Sequence, residues 1–294
     1  MAIRQTNFDA IGTKWSIVVH DVVTDEVWDS LLVRVYSRIQ AFDSIYSRFR
    51  TDSLVTRMAR KADTYQAPQD MYKLLAFFEQ LYDVTDGKVT PLIGQAMEDA
   101  GYDADYSLQS KTMQPIAKWQ DVITYDQDSI TLSQPALLDF GAAGKGYLVD
   151  IVATIFEEAG INNFTVDGSG DLRHQSEKDV SLRVGMENPQ NASEVIGIIK
   201  LGNKSLGASA GSKRQWGKFT HIIDPDSLES PTDVLATWVI ADEAMTTDGL
   251  ATALFFASPD KLRRHFDFSW AVLHQDMRLD RSKDFPAEVF EPES

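Results

Sequence analysis

Three stretches of this chain carry residue types able to bind an anion, hold a cation or move a proton. The first is "LLDFGAAGKGYLVD" at 137–150, where Gly141, Gly144 and Gly146 crowd around Lys145 just ahead of a helical pattern. A glycine turn feeding a helix N-terminus offers unpaired N–H groups and partial positive charge to an anion. The usual nucleotide signatures do not fit. A Walker loop needs four residues between its first glycine and a Gly-Lys-Ser/Thr ending, but Gly141 and Gly144 are too close and Tyr147 follows Gly146. A dinucleotide fingerprint needs Gly-x-Gly-x-x-Gly, and the spacing here is Gly-x-x-Gly-x-Gly. Taken alone, the segment reads most simply as a tight turn with a solvated lysine.

The second stretch is "TTDGLATALFFA", in which Asp248 and Thr252 stand four apart at a predicted helix start and so share a face. Hard cations take such oxygens. Magnesium uses only one or two protein carboxylates and completes its octahedron with waters and substrate phosphate oxygens, so a sparse Asp-plus-Thr pair suits it better than calcium. The plainer reading is an acid in a helix's first turn, favoured by the macrodipole, and a threonine that packs. In the third stretch, "FTHIIDPDS", His221 ends a short apolar run and is able to take a proton near neutrality, or else is a structural strand-end histidine. Asp224 before Pro225 reads as a turn residue. The other histidines, at 20, 174, 265 and 274, show no metal-ligand spacing, so no zinc site is expected. "DGSGD" at 167–171 reads as a turn more than an anion nest, and "SLGASAGSKRQWG" as a small-residue loop whose basic and aromatic members could flank a ligand.

The chain has 294 residues, enough for one large domain or two intimate lobes. With 28 Lys plus Arg against 44 Asp plus Glu, its net charge of -16 argues against a nucleic-acid partner. Cysteine is absent, which excludes disulfides and thiolate chemistry. No apolar run approaches a membrane span, and "MAIRQTNFDAIGTKW" lacks the features of a signal peptide. The expected location is therefore cytoplasmic, or exported if this is a processed form.

The elements that must position these residues follow from hydrophobic spacing. "GTKWSIVVHD" reads as a strand, and a helix capped by Thr24 follows, with Trp28, Leu31, Leu32, Val35, Tyr36, Ile39 and Phe42 on one stripe. A second amphipathic helix is predicted over 69–84, a hairpin turns at 126–128, and the glycine loop opens a helix that stops at Gly160. Strands are predicted near 181–186, 195–201, 219–223 and 234–240, with a Ser258-capped helix and the strand "SWAVLHQD" after them. Residues from about 283 to 294 read as a charged tail. The spacing predicts a single α+β unit over 1–294, with mixed or antiparallel sheets flanked by helices and possible pseudo-lobes.

In order along nearly the whole chain, "FDAIGTKW", "SRFRTDSLVTRM", "TDGKVTPLIGQAMEDAGYD", "LLDFGAAGKGYLVD", "TVDGSGDL", "RVGMENP", "FTHIIDPDS" and "TTDGLATALFFA" resemble the ApbE family, the FAD:protein FMN transferases. The resemblance implies an ApbE-like (T-fold-like) fold and transfer of FMN from FAD to a threonine of a target flavoprotein, with release of AMP. It implies that Asp248, Thr252 and the backbone carbonyl of Ala142 hold Mg2+, and that Asp139 and Lys145 contact FAD. Ile11, Phe49, Lys88, Val89, Thr90 and Ile222 fall on flavin-site positions. His221 is the candidate general base. The chain would act as a monomer or homodimer. Family members commonly carry Met at Ile11, Tyr at Phe49, Asn at Ala59, Asp at Thr90 and Trp at Ala100. These departures leave an FAD pyrophosphatase or a non-catalytic FAD-binding protein on the same fold as the alternative.

Overall fold

In the computed structural model, which describes residues 3–290, one antiparallel sheet of eight strands runs through the middle of the molecule. Its strands are β1 (Arg4–Ala10), β2 (Thr13–Val19), β3 (Phe164–Asp167), β4 (Leu172–Gln175), β5 (Ser205–Ala210), β6 (Val234–Ala241), β7 (Ser269–His274) and β8 (Leu279–Arg281). They lie side by side in chain order, each antiparallel to the next. The helices are insertions in this meander. Three long ones, α1 (Asp25–Tyr46), α2 (Gln69–Val84) and α3 (Gly144–Glu158), fall between β2 and β3, and α4 (Ala244–Ala253) falls between β6 and β7.

Side chains alternate between the two faces of a strand, and both faces of this sheet are covered. On β6, Val239 and Ala241 join the helices in the main core, while Trp238 and Ile240 face a smaller core. That second core is closed by a three-stranded sheet of Leu182–Asn188, Asn191–Leu201 and Ala287–Val289. Cover on both sides explains why "VLATWVIA" reads as an almost unbroken apolar run. The two cores share one sheet. Each large apolar side chain buried in them contributes roughly 1.5–3 kcal/mol.

Helix α1 begins where its sequence says it should: the Thr24 hydroxyl accepts from the Val27 N–H at 3.3 Å, and Trp28, Leu31, Val35, Ile39, Phe42 and Tyr46 form its buried stripe. Helix α2, the 123–132 hairpin and the Ser258-capped turn also lie where the spacing put them. Elsewhere the structure differs from the sequence reading, for identifiable reasons. The half-buried edge strand β1 alternates but is mostly polar, so its apolar signal is weak. The predicted strand over 219–223 shortens to Phe219–Thr220.

Within "SLGASAGSKRQWG", Ser205–Ala210 is not loop but an interior strand. Its small residues exist because α4 lies directly on it: a Cβ at Gly207 would come within 2.5 Å of the Thr247 carbonyl carbon. The charged stretch from 283 is not a free tail either. Phe285 is buried, and Ala287–Val289 pairs with Asn191–Leu201; residues 291–294 lie outside the described residues. Among the described residues, no helix is long and apolar enough to cross a membrane.

Candidate active site

Helices α3 and α4 brace one another, and that brace sets the geometry of the site. Neither has a side chain capping its own N-terminus. Instead Asp248 of α4 accepts the Gly146 N–H of α3 at 2.9 Å, and Asp150 of α3 accepts the Ala244 and Met245 N–H groups of α4, each at 2.8 Å. Each helix thus satisfies its partner's open donors and places a carboxylate at the positive end of its dipole. Gly146 permits the close approach, since a Cβ there would lie 2.1 Å from the Ala244 carbonyl oxygen. Because α4 starts at Ala244, Asp248 sits in its second turn, not its first.

Burial pushes the carboxyl groups of Asp150 and Asp248 up to about 6, against the N–H groups that stabilise their charge. A raised folded-state value means that the folded chain holds the proton more tightly than the unfolded one, so the contribution of Asp150 to stability declines as pH rises from about 4 to 6. Asp150→Asn keeps an acceptor for α4 and is expected to flatten that part of the pH–stability curve. Asp150→Ala leaves two buried donors open and is expected to lower stability by about 1–3 kcal/mol in urea unfolding.

A cleft of about 840 Å³ opens beside this brace. Lys145, one residue into α3, lies in it with its ammonium on the Asp171 carboxylate at the β3–β4 turn. Burial, and Arg214 with it, weakens the hold of Lys145 on its proton, and Asp248 opposes them. The second oxygen of Asp171, Oδ1, is buried without a hydrogen-bond partner.

His221 follows the strand Phe219–Thr220, with its backbone N–H donating to the Arg214 carbonyl at 3.1 Å. Its Nδ1 is buried and unpartnered. Burial, then the charges of Arg214 and Lys145, push its imidazole down to about 4, so at neutral pH it is uncharged and presents a lone pair. Arg214 also lines the cleft, held by a hydrogen bond from its guanidinium to the Tyr102 hydroxyl at 2.9 Å.

Ten of the residues singled out in the sequence line this one cleft: Lys88, Val89, Thr90, Asp139, Ala142, Lys145, His221, Ile222, Asp248 and Thr252. Besides Asp248 and Lys145, three of them are also structural ties. Lys88 bridges Asp224 at 2.7 and 2.8 Å and Asp226 at 2.7 Å, and the Thr90 hydroxyl accepts the Leu92 N–H at 3.2 Å. Asp139 accepts from Arg48 Nε and from the Gly141 N–H, both at 2.6 Å, and so fixes the glycine loop. Asp224 turns the chain as its position before Pro225 suggests, accepting the Asp226 N–H at 2.8 Å.

Ile11 and Phe49 are not among the lining residues. Ile11 occupies the β1–β2 turn with a φ of 45°, and its neighbour Gly12 lines the cleft instead. Phe49 packs against Arg48, Tyr102 and Tyr106. Sequence reasoning did not single out Arg214 and Asp171. The basic run "SKR" and the second acid of "DGSGD" were their only signals.

Among the described residues, no three His, Cys, Asp or Glu side chains group into a metal cage. Asp248, Thr252 and Ala142 line the same cleft, and their oxygens are of the type taken by a cation that uses few protein ligands and fills its shell with water and phosphate oxygens. A buried carboxylate whose proton affinity is raised by desolvation is also one that a cation would relieve.

Known proteins resemble the chain along most of its length. The family model described as the ApbE family matches residues 11–271. A protein of Haemophilus influenzae named FAD:protein FMN transferase is 28% identical over 269 residues, covering 84% of this chain and 76% of that one. Another of that name from Klebsiella pneumoniae is 24% identical, covering 86% and 78%. In three dimensions, the crystal structure of the ApbE protein from Thermotoga maritima superposes with a TM-score of 0.84 at 19% identity, covering 98% of this chain and 100% of that one. The flavin transferase ApbE from Vibrio cholerae gives a TM-score of 0.79 at 18% identity, covering 97% and 99%. With the family's model matched over residues 11–271, most of the chain, the chain belongs to the ApbE family.

Proposed function

We propose that this protein transfers the FMN half of FAD to a threonine hydroxyl of a target flavoprotein and releases AMP. The observation that carries this reading is the meeting, in one cleft, of the oxygens of Asp248, Thr252 and Ala142 with Lys145, Arg214 and an uncharged His221. Mg2+ held by Asp248, Thr252 and the Ala142 carbonyl would neutralise charge at the pyrophosphate.

The chain's own residues account for the rest. Lys145 and Arg214 supply positive charge to the phosphate oxygens within a molecule of net charge -16, so the anionic substrate meets a local patch of opposite sign. His221 receives the proton of the threonine hydroxyl as its oxygen bonds to the phosphorus on the FMN side, while the bond from that phosphorus to the bridging oxygen breaks and AMP departs. His221 lines the cleft and, being uncharged, has a ring nitrogen lone pair to take that proton. The positive neighbours that depress the imidazole are offset once a pyrophosphate lies among them, which strengthens the base when substrate is present.

The test is incubation of the purified protein with FAD, Mg2+ and a candidate acceptor. Fluorescent flavin that survives denaturation of the acceptor, formed in step with AMP, supports the reading. Release of free FMN and AMP without labelled acceptor points to a pyrophosphatase, and retention of intact FAD to a binding protein.

A further inference from the structure

We propose that Trp216, from behind the cleft wall, positions Arg214 and His221 together for the reaction by anchoring the short ribbon that carries them both. The inference rests on the transfer reading above and adds a positioning residue to it. Gln215–Trp216 pairs antiparallel with Phe219–Thr220 in a ribbon of two rungs, turned at Gly217 with a φ of 53°. Arg214 and His221 extend it by one contact, the His221 N–H donating to the Arg214 carbonyl at 3.1 Å. Residues two apart on a strand share a face, as do residues directly opposite, so Arg214, Trp216, Phe219 and His221 belong to the same side of the ribbon.

A two-stranded ribbon has little stability of its own in water, so contacts outside it must fix its place. Over residues 211–220, Trp216 and Phe219 are the only buried ones, and they join Met97, Ala100, Tyr102 and Ile223 in a small apolar cluster separate from the two main cores. Trp216 makes the directional tie. Its indole N–H donates to the Ala100 carbonyl at 2.7 Å, and its ring stacks on Tyr102 with centres 5.5 Å apart and planes at 27°. The same Tyr102 holds Arg214, whose guanidinium lies 5.8 Å from its ring centre and donates to its hydroxyl. Tyr102 is a fixed post, because its carbonyl accepts from Arg48, which also donates to Asp139, each at 2.6 Å. The ribbon's polar ties, Lys213 to Glu187 at 2.6 Å and the Thr220 N–H to Ser230 at 2.8 Å, are exposed or only partly buried. Trp216 therefore sets where Arg214 and His221 stand as a pair, while Lys145 and Asp248 stand on helices held by their own brace.

The test measures kcat with acceptor, FAD and Mg2+ present, alongside the FAD dissociation constant. Trp216→Ala is expected to lower kcat by about 10²-fold, the cost of reacting groups misplaced by about 1 Å, and to weaken FAD binding by less than about 10-fold, since Lys145 and the cation site lie on other elements. Trp216→Phe keeps a ring on Tyr102 without the N–H and is expected to lose only about 5-fold in kcat. Hydrogen exchange is expected to quicken over 211–223 in the alanine variant and to stay unchanged in α3 and α4. A double-mutant cycle with His221→Ala separates positioning from general stability: in that background Trp216→Ala is expected to cost about 10-fold or less, because the base it places is already gone. Equal losses in the two backgrounds would mean that Trp216 serves the fold alone and would overturn the inference, as would unchanged kcat in Trp216→Ala. If the alanine variant does not fold, Trp216→Phe carries the cycle, with a loss of about 5-fold beside an intact His221 and under about 2-fold without it, and equal losses again overturn the inference. Wild-type protein that forms no labelled acceptor would instead remove the transfer reading, and this inference with it.

Discussion

Asp248→Asn is expected to reduce magnesium-dependent flavin transfer by on the order of 10³-fold while leaving the fold intact. The magnitude follows from the several kcal/mol of transition-state charge that a bound cation neutralises, at about 1.4 kcal/mol per factor of ten. Asparagine is the informative replacement because Asp248 has two roles. Its carboxylate caps α3 through the Gly146 N–H, and the asparagine carbonyl keeps that bond. Alanine would lose the cap as well, at about 1 kcal/mol, and mix a stability effect into the rate. Unchanged thermal unfolding beside a collapsed rate is the expected pattern. Full activity in the asparagine variant would remove Asp248 from the cation site.

His221→Ala is expected to lower kcat by about 10²–10⁴-fold with FAD affinity retained, the span typical of a lost general base. If affinity and rate fall in parallel, the histidine is a ligand contact instead. The pH dependence gives a second readout. The base must be unprotonated, so wild-type activity should fall as pH drops through its pKa. In the free protein that value is pushed down to about 4 by burial, Arg214 and Lys145. With the pyrophosphate in place among those cations, the acid limb of kcat should lie above that value. His221→Ala should lose the limb due to this group.

Much of this was legible in the chain because local signals and tertiary demands coincide. Thr24 caps α1 and Gly160 ends the α3 segment with a φ of 74°, both as their residue types imply. Asp248 and Thr252 share a helix face, and both reach the cleft. What escaped had its cause in distant chain. Ser205–Ala210 looks like loop because its small residues answer to α4, some forty positions later. The same applies to Gly146, whose missing side chain makes room for Ala244 rather than for a phosphate.

The mutual capping of α3 and α4 has no sequence signature, since Asp150 and Asp248 cap helices that begin in other parts of the chain. Phe49, taken from the resemblance as a flavin-site position, packs its ring on Arg48, Tyr102 and Tyr106 and stands behind Tyr102 of the cleft wall.

On the proposed function, a divalent cation at Asp248, Thr252 and Ala142 and the pyrophosphate of FAD share one binding locus. Calorimetric titration of FAD across a range of Mg2+ concentrations measures that directly, because coupling between two ligands is reciprocal. Mg2+ is expected to tighten FAD binding by about 10-fold or more, FAD to tighten Mg2+ binding by the same factor, and Asp248→Asn to abolish both effects. FAD affinity indifferent to Mg2+, or coupling that persists undiminished in Asp248→Asn, would contradict a shared locus.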